Sequence, residues 1–194
     1  MVIKYKKQLG IALGFIILLS CLIFGFLYFL DSDDDNIDNK SILSVEFKNN
    51  KNNVELQSIL PMKDVVGKEL TGNSAKDGIQ GYLEFTVSST SKKKVNYSII
   101  VKSKEVKKEI DSNYIKVYLT DLDDKPYKGF ESNSVPSYNS LKVDVNSPSN
   151  KILLSDSIKN NESKSYKLRV WLSNSYVINS SVESFDFDVE VINN

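Results

Sequence analysis

The chain has 194 residues, with Lys+Arg and Asp+Glu balanced at 25 each, no histidine and one cysteine. The balance gives no basic excess for nucleic acid, and no segment interleaves a basic face with aromatics. Without histidine there is no imidazole base, no Ser-His-Asp triad and no histidine metal ligand. Cys21 is the only thiol, so a domain downstream of it has no thiol nucleophile, no thiolate zinc site and no disulfide. The carboxylates and Ser-Lys pairs that remain are abundant as ordinary surface residues. The expectation is a non-enzyme with no cofactor and no bound metal.

The first element is residues 9–30, LGIALGFIILLSCLIFGFLYFL, twenty-two residues without a charge. As a helix it spans about 33 Å, enough for a hydrocarbon core of about 30 Å. Lys4, Lys6 and Lys7 precede it, and Asp31, Asp33, Asp34 and Asp35 follow it. Lysines stay inside, so residues 1–8 read as a cytoplasmic tail, 9–30 as a transmembrane helix and 31–41 as an acidic linker. Residues 42–194 then form an extracellular domain of a single-pass cell-membrane protein, with the lipid bilayer as partner of 9–30. A cleaved export signal and a lipoprotein box at Leu18-Leu19-Ser20-Cys21 are the alternatives. The apolar run is too long for the first, no small-x-small site precedes Asp31, and apolar residues continue past Cys21. Asp31, Asp33 and Asp35 have the opening spacing of a calcium loop. Asn36 and Ile42 stand where such a loop needs glycine and glutamate, so the segment reads as a solvated spacer.

Strand signals follow in series: 42–48, 54–60, 81–88, 94–102, 114–120, 141–145, 151–155, 166–173 and 183–192. The clearest is the last, where Phe185, Phe187, Val189 and Val191 alternate with Asp186, Asp188 and Glu190. Polar turn clusters separate the strands, and no long 3.6-residue periodicity survives; 106–110 and 155–159 allow single helical turns at most. The expected fold class is all-β, an antiparallel β-sandwich of about 7–9 strands.

Two excursions interrupt the series. Residues 67–81, GKELTGNSAKDGIQG, lack phosphate-loop order and read as a loop. Residues 126–136 carry Tyr127 and Phe130, with Tyr138 just beyond. Either these aromatics form an exposed contact surface or they cover the end of the sandwich, and the second is the commoner fate of apolar residues. In SYKLRVWLSNSY (165–176) the only arginine, Arg169, and the only tryptophan, Trp171, share a face two residues apart. That spacing allows a cation–π pair and an interface anchor, or a tryptophan packed under a loop on the outer face.

Leu60-Pro61-Met62-Lys63-Asp64 with Gly67, then Tyr82-Leu83-Glu84-Phe85-Thr86-Val87, Val95-Asn96-Tyr97-Ser98-Ile99 and Tyr166-Lys167-Leu168-Arg169-Val170-Trp171-Leu172, followed by a terminal alternating strand, form a recognisable order. It resembles the camelysin/TasA-like exported β-sandwich proteins of Gram-positive bacteria. The resemblance implies a matrix or fibre subunit, or the anchor of one, that donates an N-terminal strand to a neighbour. Some relatives are described as proteases, and this chain has no histidines for that chemistry. The expected function is assembly with copies of itself or other surface proteins; residues 42–48 are expected to pair with a sheet edge of their own domain or of a neighbour, with Leu43, Val45 and Phe47 filling the core. A surface module recognising a protein or glycan through 126–138 is the alternative.

Overall fold

The computed structural model describes residues 42–194 apart from 58, 73–80, 146 and 179–182. The expected cytoplasmic tail, transmembrane helix and acidic linker lie outside the described residues, as does the middle of the 67–81 loop.

Among the described residues nine strands build two antiparallel sheets: β1 (Leu43–Phe47), β2 (Asn53–Gln57), β3 (Gly81–Ser89), β4 (Val95–Ser103), β5 (Ile115–Thr120), β6 (Lys142–Asp144), β7 (Ser147–Ile158), β8 (Ser163–Leu172) and β9 (Ser184–Asn193). One sheet runs β1-β3-β8-β5 and the other β2-β9-β4-β7-β6. Period-two alternation decides which side chains meet between them. Leu83, Phe85 and Val87 of β3, with Tyr166, Leu168 and Val170 of β8, face Tyr97, Ile99 and Val101 of β4 and Phe185, Phe187 and Val189 of β9 in one buried cluster. Their outward neighbours, such as Glu84 and Asp188, are only partly buried.

Several boundaries differ from the pattern. β7 runs over Ser147–Ile158, so 155–159 is strand and turn rather than a helical turn. Its long pairing with β4, from Val95↔Ile158 to Lys102↔Asn150, is what extends it. Residues 106–110 are also non-helical; Glu109 bridges Ser184. β2 ends at Gln57 because the chain then leaves its sheet, and Leu60 is 63% exposed. A short helix, α1 (Asp64–Gly67), follows, below the length at which periodicity reports a helix. Left-handed backbone occurs at Asn50, Asp124 and Asn161, residue types whose short polar side chains tolerate that conformation.

Candidate functional site

The first strand begins the domain and sits at a sheet edge. β1 pairs antiparallel with β3 of its own domain, Val45 opposite Val87 and Phe47 opposite Phe85. Leu43, Val45 and Phe47 are half-buried and pack against the core, whereas Ser44 and Glu46 are exposed. The register also fixes the backbone. Thr90 N–H donates to Ile42 C=O (3.2 Å) and Lys48 N–H to Glu84 C=O (3.0 Å). Even-numbered residues of β1 therefore carry the hydrogen bonds to β3, and Val45 N–H and C=O, with Phe47 N–H, are directed away from it. Phe47 C=O is taken by the Asn50 N–H of the following turn (3.0 Å).

Phe47 begins an aromatic run across the interior. Its ring lies 5.3 Å from Phe85, Phe85 lies 5.2 Å from Tyr166, and Tyr166 lies 4.9 Å from Tyr127. The Tyr97 and Tyr166 hydroxyls hydrogen-bond to each other and so join β4 of one sheet to β8 of the other. Burial pushes the Tyr97 hydroxyl up to about 12 and the Tyr166 hydroxyl higher still. Tyr127 is likewise raised to about 12 by burial.

Phe130 and Tyr138 are buried at 3% and 4% exposure. Tyr138 packs its ring 4.9 Å from Phe185 and 5.6 Å from Phe187. The segment that carries them also bonds along the free edge of β5, through Val117 N–H to Pro136 C=O (3.1 Å) and Tyr127 N–H to Leu119 C=O (3.1 Å). These aromatics cover the β5 side of the sandwich rather than its end, and only Tyr127 remains half-buried.

Arg169 and Trp171 point to the outer face of the β8 sheet, yet they are 3% and 0% exposed. Residues 59–72, including α1, lie across them as a strap. Met62 anchors the strap: its N–H donates to Leu172 C=O (2.9 Å) and its C=O accepts from Asn174 N–H (3.0 Å). A β-carbon on Gly67 would fall inside the Trp171 indole, so glycine is what lets the helix touch the ring. Trp171 Nε1 donates to Asp64 Oδ1 (3.3 Å). Arg169 does not stack on Trp171; its guanidinium lies 5.9 Å from the Tyr82 ring. It donates to Leu70 C=O (2.7 Å), to Thr120 Oγ1 (2.9 Å) and to Asp124. Arg169, and after it Lys167, hold the Asp124 carboxyl below the usual carboxylate range. The cluster ties the strap and the Asp121–Lys125 turn to the sheet. The sequence signal for Gly67 lay only in its place after the Leu60–Asp64 stretch, and Leu70, Thr120 and Asp124 gave none.

Among the described residues no three His, Cys, Asp or Glu side chains gather into a metal-binding group. The described residues define a two-sheet antiparallel sandwich in which Val45 of the edge strand β1 turns its N–H and C=O away from β3. No family model, curated protein or solved structure matches the chain.

Proposed function

We propose that this chain is a non-enzymatic, membrane-anchored surface protein whose external β-sandwich assembles with copies of itself or with other surface proteins. The observation that carries the reading is β1, an edge strand at the start of the domain with the backbone groups of Val45 turned outward. Outward N–H and C=O groups on an edge strand are what an added strand pairs with. The resemblance to camelysin/TasA-like proteins points the same way. A binding module built on 126–138 is less favoured, because Phe130 and Tyr138 are spent inside the fold.

Val45→Pro tests the reading. Proline removes an N–H that β3 does not use, so β1 keeps its pairing, while the outer edge can no longer accept a strand. The full chain in detergent micelles is expected to form concentration-dependent oligomers, and the variant to stay monomeric with a small change in melting temperature. Oligomers of unchanged size in Val45→Pro overturn assembly through β1. Deleting 41–48 sharpens the result. Loss of monomer stability marks the strand as resident in its own domain, and a folded remainder that accepts a 41–48 peptide marks it as exchanged.

A further inference from the structure

Among the described residues the β1-β3-β8-β5 sheet has one open edge. At its far side β5 already spends outward groups on its own chain: Val117 N–H donates to Pro136 C=O (3.1 Å) and Leu119 C=O accepts from Tyr127 N–H (3.1 Å). A strand added to β1 is therefore not the β5 of another copy. A head-to-tail array needs two different complementary edges, whereas one edge used twice closes on itself about a two-fold axis. The other sheet offers less. Its edge strand β6 has three residues, with a register shift between Val143 and Asp144, and short irregular edges resist pairing. Its other edge strand, β2, already has Val54 and Leu56 buried, so its apolar side chains gain nothing from a neighbour. On β1, Leu43, Val45 and Phe47 are still half-buried.

Only a few registers lay an antiparallel copy of β1 against it. The odd-numbered residues turn their backbone away from β3, so odd must face odd. With Val45 opposite Val45 of a second copy, the two exchange both N–H···O=C bonds, Leu43 lies opposite Phe47, and Ser44 opposite Glu46. Setting Val45 opposite Phe47 instead brings Glu46 against Glu46, and like charges directly opposite are destabilising. That register also calls on the Phe47 C=O, which the Asn50 N–H holds (3.0 Å). Setting Val45 opposite Leu43 leaves the Phe47 ring against Ser41, with no apolar partner. We propose that β1 is the two-fold interface of a dimer of this chain, with Val45 opposite Val45, Leu43 opposite Phe47, and two copies of the four-stranded sheet joined edge to edge. The proposal rests on the reading of assembly through β1 above. It names the partner as a second copy and the product as a closed pair, in place of the extended fibre that the resemblance implies.

Ser44 and Glu46 are exposed, so cysteines there report the register without disturbing the core. Directly opposite Cβ atoms lie about 4.5–5.5 Å apart and diagonal ones about 7–8 Å, and only the former approach disulfide geometry. The full chain with Cys21→Ser is prepared separately as Ser44→Cys and as Glu46→Cys, and both are oxidised in detergent micelles. A mixture of the two is expected to yield a covalent dimer, and each alone on the order of tenfold less. Either variant linking to itself faster than the mixture links overturns the register. A mixture that does not link, although Val45→Pro abolishes oligomers, overturns the pairing and leaves assembly through β1 standing. Sedimentation of the unsubstituted chain should stop at two copies. Larger species that Val45→Pro abolishes overturn the closed pair alone. A monomer at every concentration, or oligomers that Val45→Pro leaves unchanged, overturns the assembly reading and the dimer with it.

Discussion

The two flanks of the sandwich handle their strand edges differently. On the β5 flank the chain doubles back: Asp121–Tyr138 bonds along β5 and drives Phe130, Val135 and Tyr138 between the sheets. On the β1 flank nothing comparable is seen among the described residues. β1 and β2 are short, cross from one sheet to the other through a tight turn at Asn50, and leave Val45 and Glu55 with backbone groups turned outward by register. An edge sealed by aromatic side chains contributes stability; an edge left plain is available for pairing at the cost of an aggregation hazard. The side chains that seal an edge and the outward backbone groups of β1 and β2 therefore lie on opposite sides of the same fold.

The largest expected effect lies where the sealed flank meets the core. Phe187 is fully buried against Tyr138, so Phe187→Asp places an unpaired charge among rings. It is expected to unfold the domain, read as loss of the cooperative melt by circular dichroism. Next, Phe130→Ala on the sealed flank should cost about 3–5 kcal/mol. Phe47→Ala on the open flank, where the ring is only half-buried, should cost less than half of that, and denaturant midpoints compare the two directly. Equal losses would erase the distinction between the flanks.

Arg169→Met should cost about 1–3 kcal/mol, because it leaves Leu70 C=O and Thr120 Oγ1 without their donor beneath the strap. The same site has a pH signature. Asp124 is depressed in the fold, so its contribution is present above its unfolded value and is lost as pH falls through the folded one. Its side chain is 61% exposed, which keeps the effect small. Acid melts should show that loss in the native protein and lack it in Asp124→Asn. The smallest change is Asp188→Asn. Its ion pair with Lys104 (2.7 Å) lies on a wet face, and a shift within about 0.5 kcal/mol is expected.

The alternation of Phe185–Val191 and of Leu83–Val87 makes the strands and their inner faces legible in the sequence, because burial of one face imposes a two-residue period. Leu43, Val45 and Phe47 were readable for the same reason. A tryptophan packed under a loop on the outer face is one of the two readings the spacing allows, and the structure bears it out; which segment covers it is not legible. Trp171 and Arg169 alternate as outward residues should. Nothing local announces that residues 59–72 return to cover them, since that contact joins positions roughly a hundred apart in sequence. The fate of Phe130 and Tyr138 was similarly open, as aromatics in an irregular segment read alike whether they seal an edge or face a partner. β7 is longer than its pattern because Ser147–Asn150 carry no apolar side chain but a proline and Asp156 and Ser157 are polar, and its pairing to β4 supplies the order that its own composition does not.

The placement of Trp171 gives the molecule two separate optical reporters. The single indole lies under α1 on the outer face of the β8 sheet, so its emission follows the strap. The hydroxyl pair of Tyr97 and Tyr166 lies between the sheets, so its ultraviolet ionisation follows the interior. Both phenols are raised in the fold, and the stability they contribute is whole below the free phenol's value near 10 and falls away as pH climbs towards 12 and beyond. Emission that reddens on heating or in denaturant before the phenols become titratable would reveal a state in which the strap has lifted and the sandwich is still closed. Coincident signals would mean that strap and sandwich open as one unit.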